Sequence, residues 1–175
     1  MKEWFLNTTE LKSAISKINA GDRVILSGTV YTARDAAHKL ITNALANSEE
    51  LPFNLDGAAI YYAGPTPTPK NLAIGSCGPT TSSRMDKYAP SLLDSGLKCM
   101  IGKGDRSKDV YDAIVRNEAI YLCAIGGAGA LAAKHITKCK EIAFSELGCE
   151  SVKVLNFDNF PLICAIDSKG NSIFK

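Results

Sequence analysis

The sequence predicts a mixed α/β fold with a parallel core and antiparallel C-terminal strands, and three observations carry that prediction. Short apolar runs alternate with helical patterns through the first three quarters of the chain, as in strand–helix–strand units that build a parallel sheet. The last quarter changes character: "EIAF", "SVKVLNF" and "PLICAID" read as closely spaced antiparallel strands. The 175 residues are 46% hydrophobic and 22% charged, which is ample for one core. No repeat, low-complexity segment or linker divides them, so residues 1–175 are expected to form a single domain.

Each element follows from its local pattern. "NTTELKSAISKINAGD" sets threonines at a helix start, spaces Leu11, Ile15 and Ile18 along one face and reaches Gly21 where a C-terminal cap belongs. "RVILSGTVY" is a buried strand, and a helix follows from Arg34 to Ala46, with Thr32 placed to cap it and Ala37, Leu40, Ile41, Ala44 and Leu45 on its apolar side. "GAAIYYAG" is the next strand. The Pro-rich loop "PTPTPKNLAIGSCG" then leads into a helix expected from Thr81 to Ser95. "LKCMIGKG" and "SKDVYDAIVRNE" repeat the strand–helix step, as do "AIYLCAIGG" and "AGALAAKHI". In the tail, "DSKGNS" before "IFK" supplies a Gly-Asn turn for a closing hairpin.

Composition narrows the function classes. The net charge of +2 comes from 20 basic and 18 acidic residues spread along the chain, without the cationic stripe that nucleic-acid binders carry. The N-terminus "MKEWFLNTTELK" has no apolar segment followed by a small-residue cleavage site, and "LCAIGGAGALAA" is too short and Gly-rich to span a bilayer. A soluble, cytoplasmic protein with no membrane partner is the expectation. The six cysteines, at 77, 99, 123, 139, 149 and 164, include no C-x-x-C pair, so they are expected to be reduced, mostly buried and not metal ligands.

Three stretches could carry chemistry. In "GSCGPTTSSRMD", Pro79 opens a helix, so Thr80 and Thr81 should lie where unpaired N–H groups attract anions. Arg84, four residues beyond Thr80, would share its helical face and converge on the same carboxylate. In "SGTVYTARDAAH", Arg34 and His38 repeat that spacing, although Asp35 and Lys39 also suit an ordinary exposed pair. In "MIGKG", Lys103 ends a strand between two glycines. Open α/β sheets bind ligands beyond the carboxyl ends of their strands, where all three stretches fall. Three cations suit a small dicarboxylate, and a phosphate would also fit. "GAGALA" matches a dinucleotide-site pattern too late in the chain to complete such a unit, so close packing explains its glycines better.

Taken in order, "GTVYTARDAAH", "GAAIYYAGPTP", "GSCGPTTSSRMD", "MIGKG", "YLCAIGGAGAL" and "FPLICAID" resemble the β subunit of the class I iron-sulfur hydro-lyases. That family comprises class I fumarate hydratase, through its C-terminal domain, and L(+)-tartrate dehydratase. The resemblance implies a swivelling β/β/α domain that works with an α subunit holding a [4Fe-4S] cluster, the cluster being no part of this chain. It implies that Arg34, Thr80, Arg84 and Lys103 contact a dicarboxylate, with Asp35 and His38 in support. Thr80 would take the C3 proton, with neutral Lys103 or a relay through His38 as alternative bases. Interconversion of fumarate and (S)-malate is the leading expectation. Dehydration of tartrate to oxaloacetate is its nearest rival, and a non-catalytic anion-binding module the reading from another class.

Overall fold

The computed structural model describes residues 1–174 and consists of a mixed seven-stranded sheet with helices packed against it. Strand β1 (Glu3–Asn7) runs parallel to β2 (Arg23–Thr32). The connection is a helical stretch in three short pieces, with helix α1 (Leu11–Ala14) between 3-10 turns at Thr8–Glu10 and Ile15–Lys17. Its cap is Asn7 rather than a threonine: the Asn7 side chain accepts from Thr9 N at 3.1 Å while Glu10 accepts from Asn7 N at 2.7 Å. After β2 come α2 (Asp35–Ala46), β3 (Ala59–Tyr61), a 3-10 turn (Ser82–Met85), α3 (Ala89–Asp94), β4 (Cys99–Gly102), α4 (Lys108–Arg116), β5 (Ile120–Cys123), α5 (Gly129–Ala133), β6 (Ile136–Ala143), a 3-10 segment (Ser145–Glu150) and β7 (Val152–Ile166).

The sheet closes on itself. Strands β2, β3, β4 and β5 are successively parallel, β5 pairs antiparallel with β7, and β7 returns antiparallel to β2. β1 and β6 extend this five-strand ring at the outer edges of β2 and β7. Closure depends on a bend in β7, where Asp158 and Asn159 stand opposite the single residue Ser27. Asn159 adopts φ 49°, and its N–H donates to Ser27 Oγ at 2.9 Å. Such a bulge kinks a strand and increases its twist, so one half of β7 serves β6 and the other serves β5. The two tail strands expected from "SVKVLNF" and "PLICAID" are therefore one bent strand. The closing turn forms as expected in outline, with Ile166 bridging Ser172 and Asp167 accepting from the N–H groups of Lys169 and Asn171.

Alternation along the parallel strands divides the core in two. Ala59, Tyr61, Cys99, Ile101, Ile120 and Leu122 join Val24, Leu155, Phe157 and Phe160 in a cluster drawn from all five ring strands. Ile60, Tyr62, Met100 and Tyr121 point the other way, onto Ala37 and Ile41 of α2, Leu92 and Leu93 of α3, and Ala113 and Ile114 of α4. Strands buried on both faces read as unbroken apolar runs, which is why they were legible in the sequence.

Three expectations change. β1 is an additional strand, with Trp4 and Leu6 half buried between exposed neighbours. The helix expected over 81–95 is interrupted: Thr81 is extended (ψ 120°) and bridges Lys103, a single 3-10 turn follows, and α3 restarts with Pro90 in its first turn, where no N–H is required. Thr32 does not cap α2. It ends β2, fully buried, and its hydroxyl accepts from Lys153 N at 3.0 Å.

Candidate active site at the strand ends

Arg34, Gly64, Lys103 and Gly126 follow β2, β3, β4 and β5 in turn, so they gather beyond the carboxyl ends of four adjacent parallel strands. The loops there are tied together. Tyr61 donates from its hydroxyl to the Cys77 carbonyl at 2.7 Å, Cys77 N donates to Gly129 O at 3.0 Å, and Thr80 N donates to Tyr62 O at 2.7 Å. A Cβ on Gly129 would lie 2.3 Å from Ser76 Oγ and 3.0 Å from Gly78 N, so the glycine of "GAGALA" allows α5 to begin against the 76–78 loop. The close packing expected there is real, but its partner is this loop.

Arg34 is the N-cap residue of α2. Its guanidinium, about one-fifth exposed, lies 3.3 Å from the Glu150 carboxylate, whose second oxygen accepts from Ala36 N at 3.2 Å. Glu150 thus sits where the helix start favours negative charge and fixes Arg34 from behind. On the other flank, a Cβ at Gly64 would stand 2.9 Å from Arg34 Nη1 and 3.1 Å from the Cys149 carbonyl oxygen, so a larger residue there would push the guanidinium out of this position.

Asp35 is committed to Arg84, Nε to Oδ1 at 3.0 Å, and not to Lys39 as an ordinary exposed pair would have it. This contact brings "ARD" and "SSRM" together across the mouth of the strands. His38 is fully buried, away from the shared face expected for it and Arg34. Its Nδ1 lies 2.9 Å from the Arg34 carbonyl, which can only accept, so Nδ1 carries the proton and Nε2 keeps its lone pair. Burial, with some repulsion from Arg106, holds the imidazole neutral and brings its pKa down to about 4. Among the described residues, the buried side-chain polar atoms that find no partner are Arg34 Nε, Asp35 Oδ2 and His38 Nε2, all within five consecutive positions.

The "GPTTSSR" segment differs from the expected helix start. Thr80 N, Ser82 N and Lys103 N are all engaged, the last two through Ser82 N to Lys103 O and Lys103 N to Ser82 Oγ, each at 3.0 Å. Thr80 precedes the 3-10 turn, so it shares no helical face with Arg84. Arg84 is exposed and reaches the cluster through Asp35 instead.

Beneath these loops Arg106 is completely buried. Its Nε donates to Asp86 at 2.7 Å, and its guanidinium carbon lies 5.3 Å from the Tyr62 ring centroid and 4.9 Å from that of Tyr121. Glu150, Ser82, Tyr121 and Arg106 are the functional candidates that the sequence did not single out. Ser82 and Tyr121 stand inside the stretches "GPTTSSR" and "YLCAIGG" but carry no spacing that marks a role, and Glu150 and Arg106 lie outside every such stretch; only the glycines flanking Lys103 hinted at close quarters.

Among the described residues, no group of three or more His, Cys, Asp or Glu side chains is placed to hold a metal. Cys77, nearest the loops, is fully buried with its thiol pKa pushed up to about 12 by desolvation, and Cys149 is the exposed one of the six. Among the described residues, no helix is long and apolar enough to cross a membrane.

A family model described as Fumarase C-terminus matches residues 1–175. The chain is 40% identical to Fumarate hydratase 2 of Leishmania major over 167 residues, covering 94% of this chain and 29% of that protein. It is 38% identical to the aerobic class I fumarate hydratase of Escherichia coli (strain K12) over 168 residues, covering 95% of this chain and 31% of the relative. It is also 32% identical to the L(+)-tartrate dehydratase subunit beta of the same organism over 173 residues, covering 95% and 84%. The chain thus spans about three tenths of the length of those fumarate hydratases and most of that β subunit.

Proposed function

Because the chain belongs to the Fumarase C-terminus family, shared by class I fumarate hydratases and tartrate dehydratase β subunits, we propose that it is the β-type component of a hydro-lyase acting on a small dicarboxylate. The reaction is the reversible hydration of fumarate to (S)-malate. The observation that carries this reading is the convergence of Arg34, Arg84 and Lys103 at one end of four parallel strands, beside buried polar atoms left without partners.

In this reading Arg34 and Arg84 bind the substrate carboxylates. The Arg84–Asp35 pair is half exposed on the arginine side, so it costs little to loosen toward a ligand. Arg34 Nε is buried without a partner, so a small turn of the side chain toward a ligand carboxylate would gain a hydrogen bond without losing one at that atom. Lys103 and the arginines stabilise the negative charge that grows on the carboxylate beside the deprotonated carbon. Thr80 takes the C3 proton, its hydroxyl made more acidic by Arg84 and Lys103. His38 is assigned a supporting task, since its donor nitrogen holds the Arg34 carbonyl and its ring is enclosed.

Among the described residues no His, Cys, Asp and Glu cluster is placed to hold a metal; in this reading a [4Fe-4S] cluster on an α partner would supply the Lewis-acid chemistry for the departing hydroxide. Apolar surface beside the site suits such a partner: Ile125 and Leu131 are 69% and 60% exposed at a cavity of about 220 Å³ that Phe160 and Pro161 help to line. Tartrate is the second reading, favoured by the match over most of a tartrate dehydratase β subunit.

The reconstituted pair, assayed with malate and with L-tartrate, tests the substrate. Turnover of malate with a kcat/KM at least tenfold above that for tartrate supports the first reading, and the reverse supports the second. Thr80→Val in the complex is expected to lower kcat by about a thousandfold, and near-normal kcat would remove Thr80 from the proton transfer.

A further inference from the structure

Lys103 owes its position to a hydroxyl clamp whose members lie in separate stretches that the sequence alone does not connect. Its backbone N–H donates to Ser82 Oγ at 3.0 Å, and the Tyr121 hydroxyl lies 2.8 Å from both Ser82 Oγ and the Gly104 carbonyl oxygen. A phenol carries one proton and a carbonyl only accepts. One arrangement therefore satisfies every donor: Lys103 N–H to Ser82 Oγ, Ser82 O–H to the Tyr121 oxygen, and Tyr121 O–H to Gly104 O. The chain of bonds leaves from the amide of Lys103 and returns to the carbonyl of the next residue, so it holds the turn on both sides of the lysine.

Further features are shaped around this clamp. Ser82 is fully buried, and a Cβ on Gly102 would stand 1.9 Å from its Oγ, so the glycine before Lys103 admits the hydroxyl. Gly104 takes φ 81°, which lets the turn close directly after Lys103. Arg106 lies over the Tyr121 ring and binds Asp86 at the end of the Ser82–Met85 turn, so the two halves of the clamp share one cation. Burial raises the Tyr121 pKa, which keeps its hydroxyl protonated and able to donate.

We propose that Ser82, backed by Tyr121, is a positioning residue that aims Lys103 at the substrate. The proposal rests on the reading of Lys103 given above, and its test separates the two. In the isolated chain, Ser82→Ala is expected to speed hydrogen exchange at the Lys103 amide about tenfold while the β4 amides stay protected. In the reconstituted complex the same substitution is expected to lower kcat/KM about tenfold, but less than about twofold in a Lys103→Ala background, because a residue acting through Lys103 has nothing left to act on. Tyr121→Phe, which removes only the hydroxyl, should reproduce both effects at smaller size if Ser82→Ala folds poorly. An unchanged Lys103 amide, or an equal cost of Ser82→Ala in both backgrounds, overturns the clamp. Normal turnover by Lys103→Ala alone overturns the role given to the lysine, whatever the amide shows.

Discussion

The two flanks of the strand-end site are built on opposite principles. On the Lys103 flank, Ser82, Tyr121, Arg106 and Asp86 satisfy one another below the surface. On the Arg34 flank, three buried polar atoms in five residues have no partner among the described residues. Buried polar groups are nearly always paired, since leaving one unpaired costs on the order of 1–3 kcal/mol. The first flank is internally paired, whereas the second keeps unused hydrogen-bonding capacity at Arg34 and Asp35, the side to which substrate binding is assigned in the proposal above.

The sharpest break of that comparison is to remove the cation of the finished flank. Arg106→Leu takes away the cation that neutralises the mostly buried Asp86, leaving it only the Ser107 N–H at 2.6 Å, and is expected to destabilise the fold by about 3 kcal/mol, measured as the shift in urea unfolding. Arg34→Leu should cost less than about 1 kcal/mol in the same experiment, because its ion pair is partly exposed and one nitrogen is already unsatisfied. Equal costs would erase the distinction.

Gly102→Ala comes next, at about 3 kcal/mol, since its methyl group collides with Ser82 Oγ and approaches Tyr62 to 2.9 Å. A small shift in the unfolding midpoint would mean that the clamp yields easily.

Acid probes the other flank. Unfolded, the His38 imidazole takes up its proton near pH 6.5, and in the folded chain only at about 4. Between those values the unfolded state binds more protons. Stability from this group is therefore complete above about pH 6.5 and falls as the pH drops toward 4, by up to about 3 kcal/mol. His38→Phe should flatten that part of the stability–pH profile, and an unchanged slope would show that the ring is not held neutral.

A smaller effect than these last two, on binding and not on stability, is expected at Glu150. Glu150→Gln keeps the shape but removes the charge behind Arg34, and should raise KM for the dicarboxylate about tenfold while kcat changes little. A loss confined to kcat would place Glu150 in the chemistry rather than in binding.

Much of this was legible without coordinates. Apolar strands buried on both faces announce themselves as continuous runs, so β2, β3, β4 and β5 could be placed, and with them Arg34 and Lys103 at their ends. β1 escaped because only Trp4 and Leu6 of its five residues are even partly buried. The helix expected from Thr81 failed because Thr81 and Ser82 join Lys103 across the sheet, a contact that local propensity cannot register.

Residue order and chemistry by themselves determined the strand–helix alternation, the antiparallel tail and the three cations at turns, because periodicity and turn residues act over a few positions. Only the tertiary structure decided that β7 bends to close the ring, that Asp35 turns to Arg84, that His38 is enclosed, and that Ser82 reaches Lys103. Those outcomes join segments tens of residues apart. Each is settled by which buried donors and acceptors meet once the sheet has closed, a competition that short-range patterns leave open.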